Sequence, residues 1–279
     1  MKQNHFKTGF LKLLIVILFQ GIGKFSFAIE NHPAGARSSA LSHASVSFSD
    51  LWATFHNQAG IAAVSEFSAG FFYESKFGID LLSLSAGSVV LPSGNGAFGI
   101  SFFQFGKKSY KENKLGVAYA LQLSEKWSAG IQLDYIAGVF PENVRHKGFA
   151  TFETGVIYRP AEKLHFGAHL FNPVKGGIQT LAGKQEMPVT FRAGGNYRFG
   201  EMVLFAFEAE KENKNPALVK AGIEFLPAEN LFLRIGASGR PFKYTAGFGY
   251  KTEKISADIG FGYHANLGTT PSVSIQFQL

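Results

Sequence analysis

The sequence predicts an all-β fold: a transmembrane antiparallel β-barrel of about 14 strands carrying an N-terminal plug-like segment. Three observations point there. Apolar and polar residues alternate with period two from about Phe67 to Leu279. Charged residues make up only 17% of the chain, against about a quarter in soluble domains. The links between alternating segments are short and long by turns, as in barrels with tight turns on one side and loops on the other.

The chain opens with a leader. Lys2 and Lys7 precede an apolar run over 13–19, and Ser26-Phe27-Ala28 offers small residues where a signal peptidase reads. The run is too short to span a bilayer as a helix. Residues 1–28 therefore read as a signal peptide. Its removal takes away four lysines and no acid, so the formal charge falls from +7 to +3. Nucleic-acid binding loses its compositional support. The absence of cysteine excludes disulfides, thiolate metal sites and a catalytic thiol.

Residues 29–65 are the one long mature stretch without strand periodicity, and they read as a plug or hatch segment. The run 33–64 is rich in small residues and carries Arg37, Trp52, Asn57 and Gly60. Asp50 is placed to cap a short helical turn through Leu51, Trp52 and Phe55.

Residues 66–279 form the barrel. Leu115, Val117, Tyr119 and Leu121 alternate with Gly116, Ala118, Ala120 and Gln122. Val189, Phe191, Ala193, Gly195 and Tyr197 oppose Thr190, Arg192, Gly194, Asn196 and Arg198, and Ile255 to Tyr263 repeat the pattern. The predicted segments are 66–77, 80–92, 97–109, 113–124, 127–138, 148–160, 163–171, 188–199, 202–211, 216–226, 230–238, 243–251, 254–264 and 271–279. Most approach the ~9–11 residues that a tilted strand needs to cross a bilayer. Tight turns surround Glu125, Glu162, Glu201, Glu229 and Glu253; longer links lie between them. An even strand number puts both chain ends on the periplasmic side of a bacterial outer membrane. A soluble sandwich or propeller would carry more Lys, Glu and Thr on its polar face, where this chain has Gly, Ser, Ala and Gln.

Two stretches carry a family resemblance. Gly35-Ala-Arg-Ser-Ser-Ala-Leu with Asn57-Gln-Ala-Gly-Ile, and Gly155-Val-Ile-Tyr-Arg-Pro running to Phe171-Asn-Pro, resemble the FadL-like superfamily of outer-membrane barrels. Within it they look most like the PorV/PorQ-like branch of Bacteroidota. Gln58 stands where that family usually has proline. The resemblance implies a fourteen-stranded barrel with its N-terminal segment inside. Members resemble either passive channels for hydrophobic molecules or accessories of the type IX secretion apparatus.

Several residues are candidates for function. Arg192, Arg198, Glu208, Glu210, Lys220, Glu224, Arg234 and Asp258 occupy the polar phase of their strands. On the lipid face such charges would cost ~2–4 kcal/mol near the midplane, so they are expected inside. They read as a solute-selecting or plug-anchoring band, or as a structural ion-pair ladder; Arg192, Glu208 and Arg234 are expected on one band. Glycines 116, 130, 167, 194, 222, 236, 247, 249, 260 and 262 either make room for the segment or relieve strand curvature. His165 and His169, about 13 Å apart on a strand, cannot share a metal. His264-Ala-Asn266 is the nearest approach to a catalytic group and lacks an implied nucleophile. Lysines in the longer links, among them Lys107, Lys111, Lys114, Lys175 and Lys184, suit lipid phosphates or an ordinary solvated rim.

The expectation is a non-enzymatic outer-membrane protein without cofactor or metal. It would give small hydrophobic molecules a passive pathway; the alternative is a non-conducting accessory or scaffold of an envelope or type IX secretion complex. Its partners would be outer-membrane lipids, a small hydrophobic ligand or secretion-system proteins, and not nucleic acid.

Overall fold

A computed structural model describes residues 30–108, 110–139, 148–180, 183–213, 215–239 and 242–279. The leader and the loop positions Arg145, Lys147, Lys214 and Arg240 lie outside the described residues. The first strands are β1 (Ser68–Ser75), β2 (Ser83–Ser93), β3 (Gly96–Phe105), β4 (Lys111–Gln122) and β5 (Trp127–Val139). Then come β6 (Phe149–Ala161), β7 (Leu164–Phe171) and a small hairpin, β8 (Gly177–Thr180) with β9 (Gly183–Glu186). The chain continues through β10 (Thr190–Phe199), β11 (Val203–Glu212), β12 (Leu218–Ala228) and β13 (Leu231–Ser238). It ends with β14 (Lys243–Lys251), β15 (Ile255–His264) and β16 (Gly268–Gln278).

All strands but the hairpin close one barrel, so 14 strands pair antiparallel with their neighbours. β7 joins β10 across the hairpin, with Thr190 opposite Phe171, and β16 returns to β1, with Ser68 opposite Gln278. Closure leaves no free edge and satisfies the backbone inside a bilayer. Each predicted segment matches a strand to within a few residues. The hairpin was not foreseen because its four-residue arms are too short to show a period. It is tied down by Asn172, whose side chain donates to Met187 O at 2.9 Å and accepts from Gly176 N and Thr151 Oγ1, both at 2.8 Å.

The alternation sorts the two faces. Leu115, Val117, Leu133 and Ile235 point outward and stay half-exposed or more, while Gly116, Ala118 and Ala120 are enclosed. An outer wall of Leu, Ile, Val and Phe is stable only against hydrocarbon. Exposed Trp127, Tyr197 and Tyr250 lie toward the tight-turn end, and Tyr135, Tyr244 and Tyr263 toward the other. These are the two aromatic belts of a membrane-spanning barrel.

The chain ends differ from expectation. Phe67 and Leu279 meet at the tight-turn end, where Leu279 N donates to Phe67 O at 2.9 Å. The described chain instead begins at the long-link end, where His32 Nε2 lies 3.1 Å from Glu112 Oε2 at the start of β4. It then descends inside the barrel before entering β1, so its start and finish lie at opposite ends.

Candidate functional site

The interior is occupied by residues 33–64. They fold as one helix, α1 (Ala36–Ala40), and two 3-10 turns, Leu51–Phe55 and Gln58–Ala63. Asp50 caps the first turn as expected, its Oδ1 accepting from Trp52 N at 3.0 Å. Asn57 caps the second, accepting from Ala59 N at 3.2 Å. Gly35 has φ of 101° and lies against the Trp52 ring, so both conformation and space require glycine there. Gly60 packs as closely: a Cβ would meet Phe48 O at 2.3 Å.

Missing side chains on the wall make room for this segment. Gly130 faces Gln58, Gly155 faces Asn57, Gly167 faces Val46, Gly222 and Gly236 face Leu41, and Gly247 and Gly260 face α1. A Cβ at Gly155 would come within 2.0 Å of Asn57 Oδ1. Glycines 116, 194, 249 and 262 instead meet wall atoms. Asn57 also spans wall and segment, its amide donating to Val46 O at 2.7 Å, Val156 O at 3.1 Å and Ala168 O at 3.3 Å.

Three charged networks fix the polar side. In the first, Arg37 binds Glu224 and Asp50, while Arg234 binds Glu224 and Asp258, both at 2.7 Å. In the second, Glu208 accepts from the backbone N–H groups of Ser45 and Val46, both at 2.9 Å, and from Arg192 and Lys220. Lys220 also reaches Glu210 at 2.7 Å. In the third, Glu153 gathers Lys114 at 2.6 Å, Gln58 and His169 at 3.0 Å and Gln132 at 3.1 Å. The departure at Gln58 thus supplies a contact that proline could not make.

These placements revise four expectations. Arg192 and Glu208 pair directly, but Arg234 belongs to a different network, so the three are not joined in one connected ladder. Arg198 lies at the tight-turn end, outside every ion pair among the described residues. Lys114 is not a rim residue; it is fully enclosed against Glu153. His169 joins the Glu153 network, a role its spacing from His165 did not suggest. The exposed Lys107 pairs with Asp80, and Lys184 with Glu186 at 3.8 Å. His264 Nδ1 only accepts from the backbone of Asn266 at 3.2 Å.

The opposite side of the interior is largely apolar, broken by Glu74, Ser88 and Ser101. Trp52, Phe55 and Ile61 of the segment pack on Phe72 of β1, Leu84 and Val90 of β2, and Phe103 of β3. Composition hid this, because the inward phase of β1–β3 differs from that of the later strands.

Burial governs the titration of the segment's own groups. It depresses the His56 imidazole to about 3, with Arg192 nearby adding to the effect. His43 is held well below the usual histidine range by burial and by Lys243. Asp50 is pushed upward by burial, against the pull of Arg37.

With this geometry in place, comparison with solved structures is decisive for the architecture. The chain is similar to the CymD monoaromatic hydrocarbon channel, with 13% identity, TM-score 0.66 and coverage of 90% of this chain and 99% of that one. It is similar to the toluene transporter TbuX of Ralstonia pickettii at 12% identity, TM-score 0.65 and coverage of 91% and 99%. A FadL homologue of Pseudomonas aeruginosa gives 12% identity, TM-score 0.68 and coverage of 90% and 99%. The fold is that of the FadL-like barrels. No family model matches the sequence, and no curated protein matches it.

Proposed function

We propose that the protein is an outer-membrane barrel providing a passive pathway for small hydrophobic molecules, with residues 33–64 acting as its plug. One observation carries the reading: the inward side chains of β1–β3 are largely apolar, Phe72, Leu84, Val90 and Phe103 among them, with Glu74, Ser88 and Ser101 as polar interruptions, whereas the lumen of a general porin is polar and water-filled. Trp52 and Phe55 now rest on that strip. An apolar cargo could take their place once the segment shifts. The named activities of the similar barrels, hydrocarbon and toluene transport, agree with this chemistry.

The test is uptake of a lipophilic dye into liposomes carrying the full protein, with ion conductance measured in parallel. Faster dye uptake with little ion current is the expected result. Absence of both, also after deletion of residues 33–64, would leave the accessory or scaffold role. The placement in the PorV/PorQ-like branch of Bacteroidota, and the leader over 1–28, rest on the sequence motifs and belong to this proposal. So does the absence of enzymatic activity, which agrees with the lack of any implied nucleophile beside His264.

A further inference from the structure

Every arginine in the charged networks has a carboxylate partner: Arg37, Arg192 and Arg234 each lie within 3.2 Å of one. Arg159 and Arg198 do not. Arg159 reaches only hydroxyls, Ser128 Oγ at 3.0 Å and Ser49 Oγ at 2.9 Å. A guanidinium has five N–H donors, so capacity is left over. Arg198 has no ion pair among the described residues, and the nearby Glu201 is exposed and tied to Lys163 at 3.0 Å.

The two arginines share one corner of the interior. His165 lies opposite Asn196, and Asn196 and Arg198 occupy the same face of β10. Gly167 and Asn196 touch Val46 and Ser47 of the inner segment, which shows that this phase faces inward. Arg159 comes from adjacent β6 and reaches Ser49 of the same segment. Three neighbouring strands span about 10 Å. The backbone N–H groups of Arg159 and Arg198 bond to Lys126 O at 2.7 Å and Lys163 O at 2.9 Å, fixing both at the level of the tight turns. All three side chains are half-buried, so solvent reaches them while the wall limits its screening.

We propose that Arg159, His165 and Arg198 form an anion-binding basin at the tight-turn mouth, fitted to a carboxylate group. Planar guanidinium forks match carboxylate geometry, and partial desolvation strengthens the contact. On the transport reading, the carboxylate belongs to a small amphiphile whose apolar body has passed the strip along β1–β3. A free small anion would present the same chemistry. Binding is measurable without transport, so failure of this assignment is distinct from failure of the pathway.

The test is calorimetric titration of the full folded protein in non-ionic detergent with benzoate, benzyl alcohol and acetate. Benzoate should bind about tenfold or more tighter than benzyl alcohol, the scale of one charge-assisted hydrogen bond. Arg198→Gln should remove most of that preference, and Arg159→Gln with Arg198→Gln all of it. Since Arg198 takes no part in the ion-pair networks, its single variant keeps the test valid if the double variant does not fold. Displacement of benzoate by equal acetate would support the basin and assign it to free anions. Equal binding of benzoate and benzyl alcohol, or an undiminished preference in Arg198→Gln, would overturn it.

Discussion

Arg37 and Glu224 are joined by two parallel hydrogen bonds, Nε to Oε2 at 2.8 Å and Nη2 to Oε1 at 2.9 Å, across 187 positions of sequence. The pair docks α1 on the inner face of β12. The same Glu224 oxygen accepts from Arg234, so one carboxylate serves both the segment and the wall. Arg37 in turn holds Asp50, which caps the next turn of the segment.

Arg37→Ala should therefore loosen the segment without opening the barrel. It leaves Asp50 without its cation and Glu224 with Arg234 alone. Breaking a buried pair costs about 3–5 kcal/mol, and partial exposure of Arg37 puts this case toward the lower end. Cleavage within residues 33–64 by added protease should accelerate, while heat-modifiable mobility on gels persists. Unchanged proteolysis would mean that the segment is held elsewhere.

Gly155→Ala should have a similar effect by a steric route. Its Cβ would overlap the Asn57 amide, and overpacking of this kind costs about 1–3 kcal/mol. Gly87→Ala is the control, since its Cβ would meet nothing nearer than 3.7 Å. Hydrogen exchange at Ala59 and Gly60 should rise in the first variant and stay unchanged in the second.

Docking of the segment should weaken in mild acid. His56 stays neutral down to about 3 when docked, and His43 is shifted the same way, while both protonate near 6.5 once released. The released state then binds more protons, so stability rises with pH up to about 6.5 and is flat above it, with a slope of at most about 1.4 kcal/mol per pH unit for each histidine. Asp50 is shifted upward and opposes this trend above its ordinary value of 3.8. Protease protection should thus be level from pH 8 to 7 and decline toward pH 5. The decline should be shallower in His56→Asn; an identical profile in that variant would refute the assignment.

Sidedness can be checked by labelling. A cysteine at Lys184, in the second arm of the hairpin, should react with an impermeant reagent on whole cells, and one at Glu229, in a tight turn, should not. The reverse pattern would invert the barrel and move the Arg159 basin to the cell exterior.

The sequence by itself determined the barrel. Period-two alternation, a low charge fraction and turns of alternating length are local properties, and a closed antiparallel barrel in which each strand pairs with its neighbours is built almost wholly from them. It also marked the one segment without that period, the cap at Asp50 and the inward phase of Arg192, Glu208, Glu224 and Arg234. The tertiary structure alone decided which charges meet. Arg37 finds Glu224 and Gln58 finds Glu153 because the segment descends through the interior, and no periodicity encodes the depth or rotation of such a passage. The roles of the glycines were undecided for the same reason: Gly155 yields to Asn57 while Gly194 meets only its own wall. Alternation assigns a residue to a face, but contact across the lumen depends on closure of all the strands and on how the enclosed chain fills the space between them.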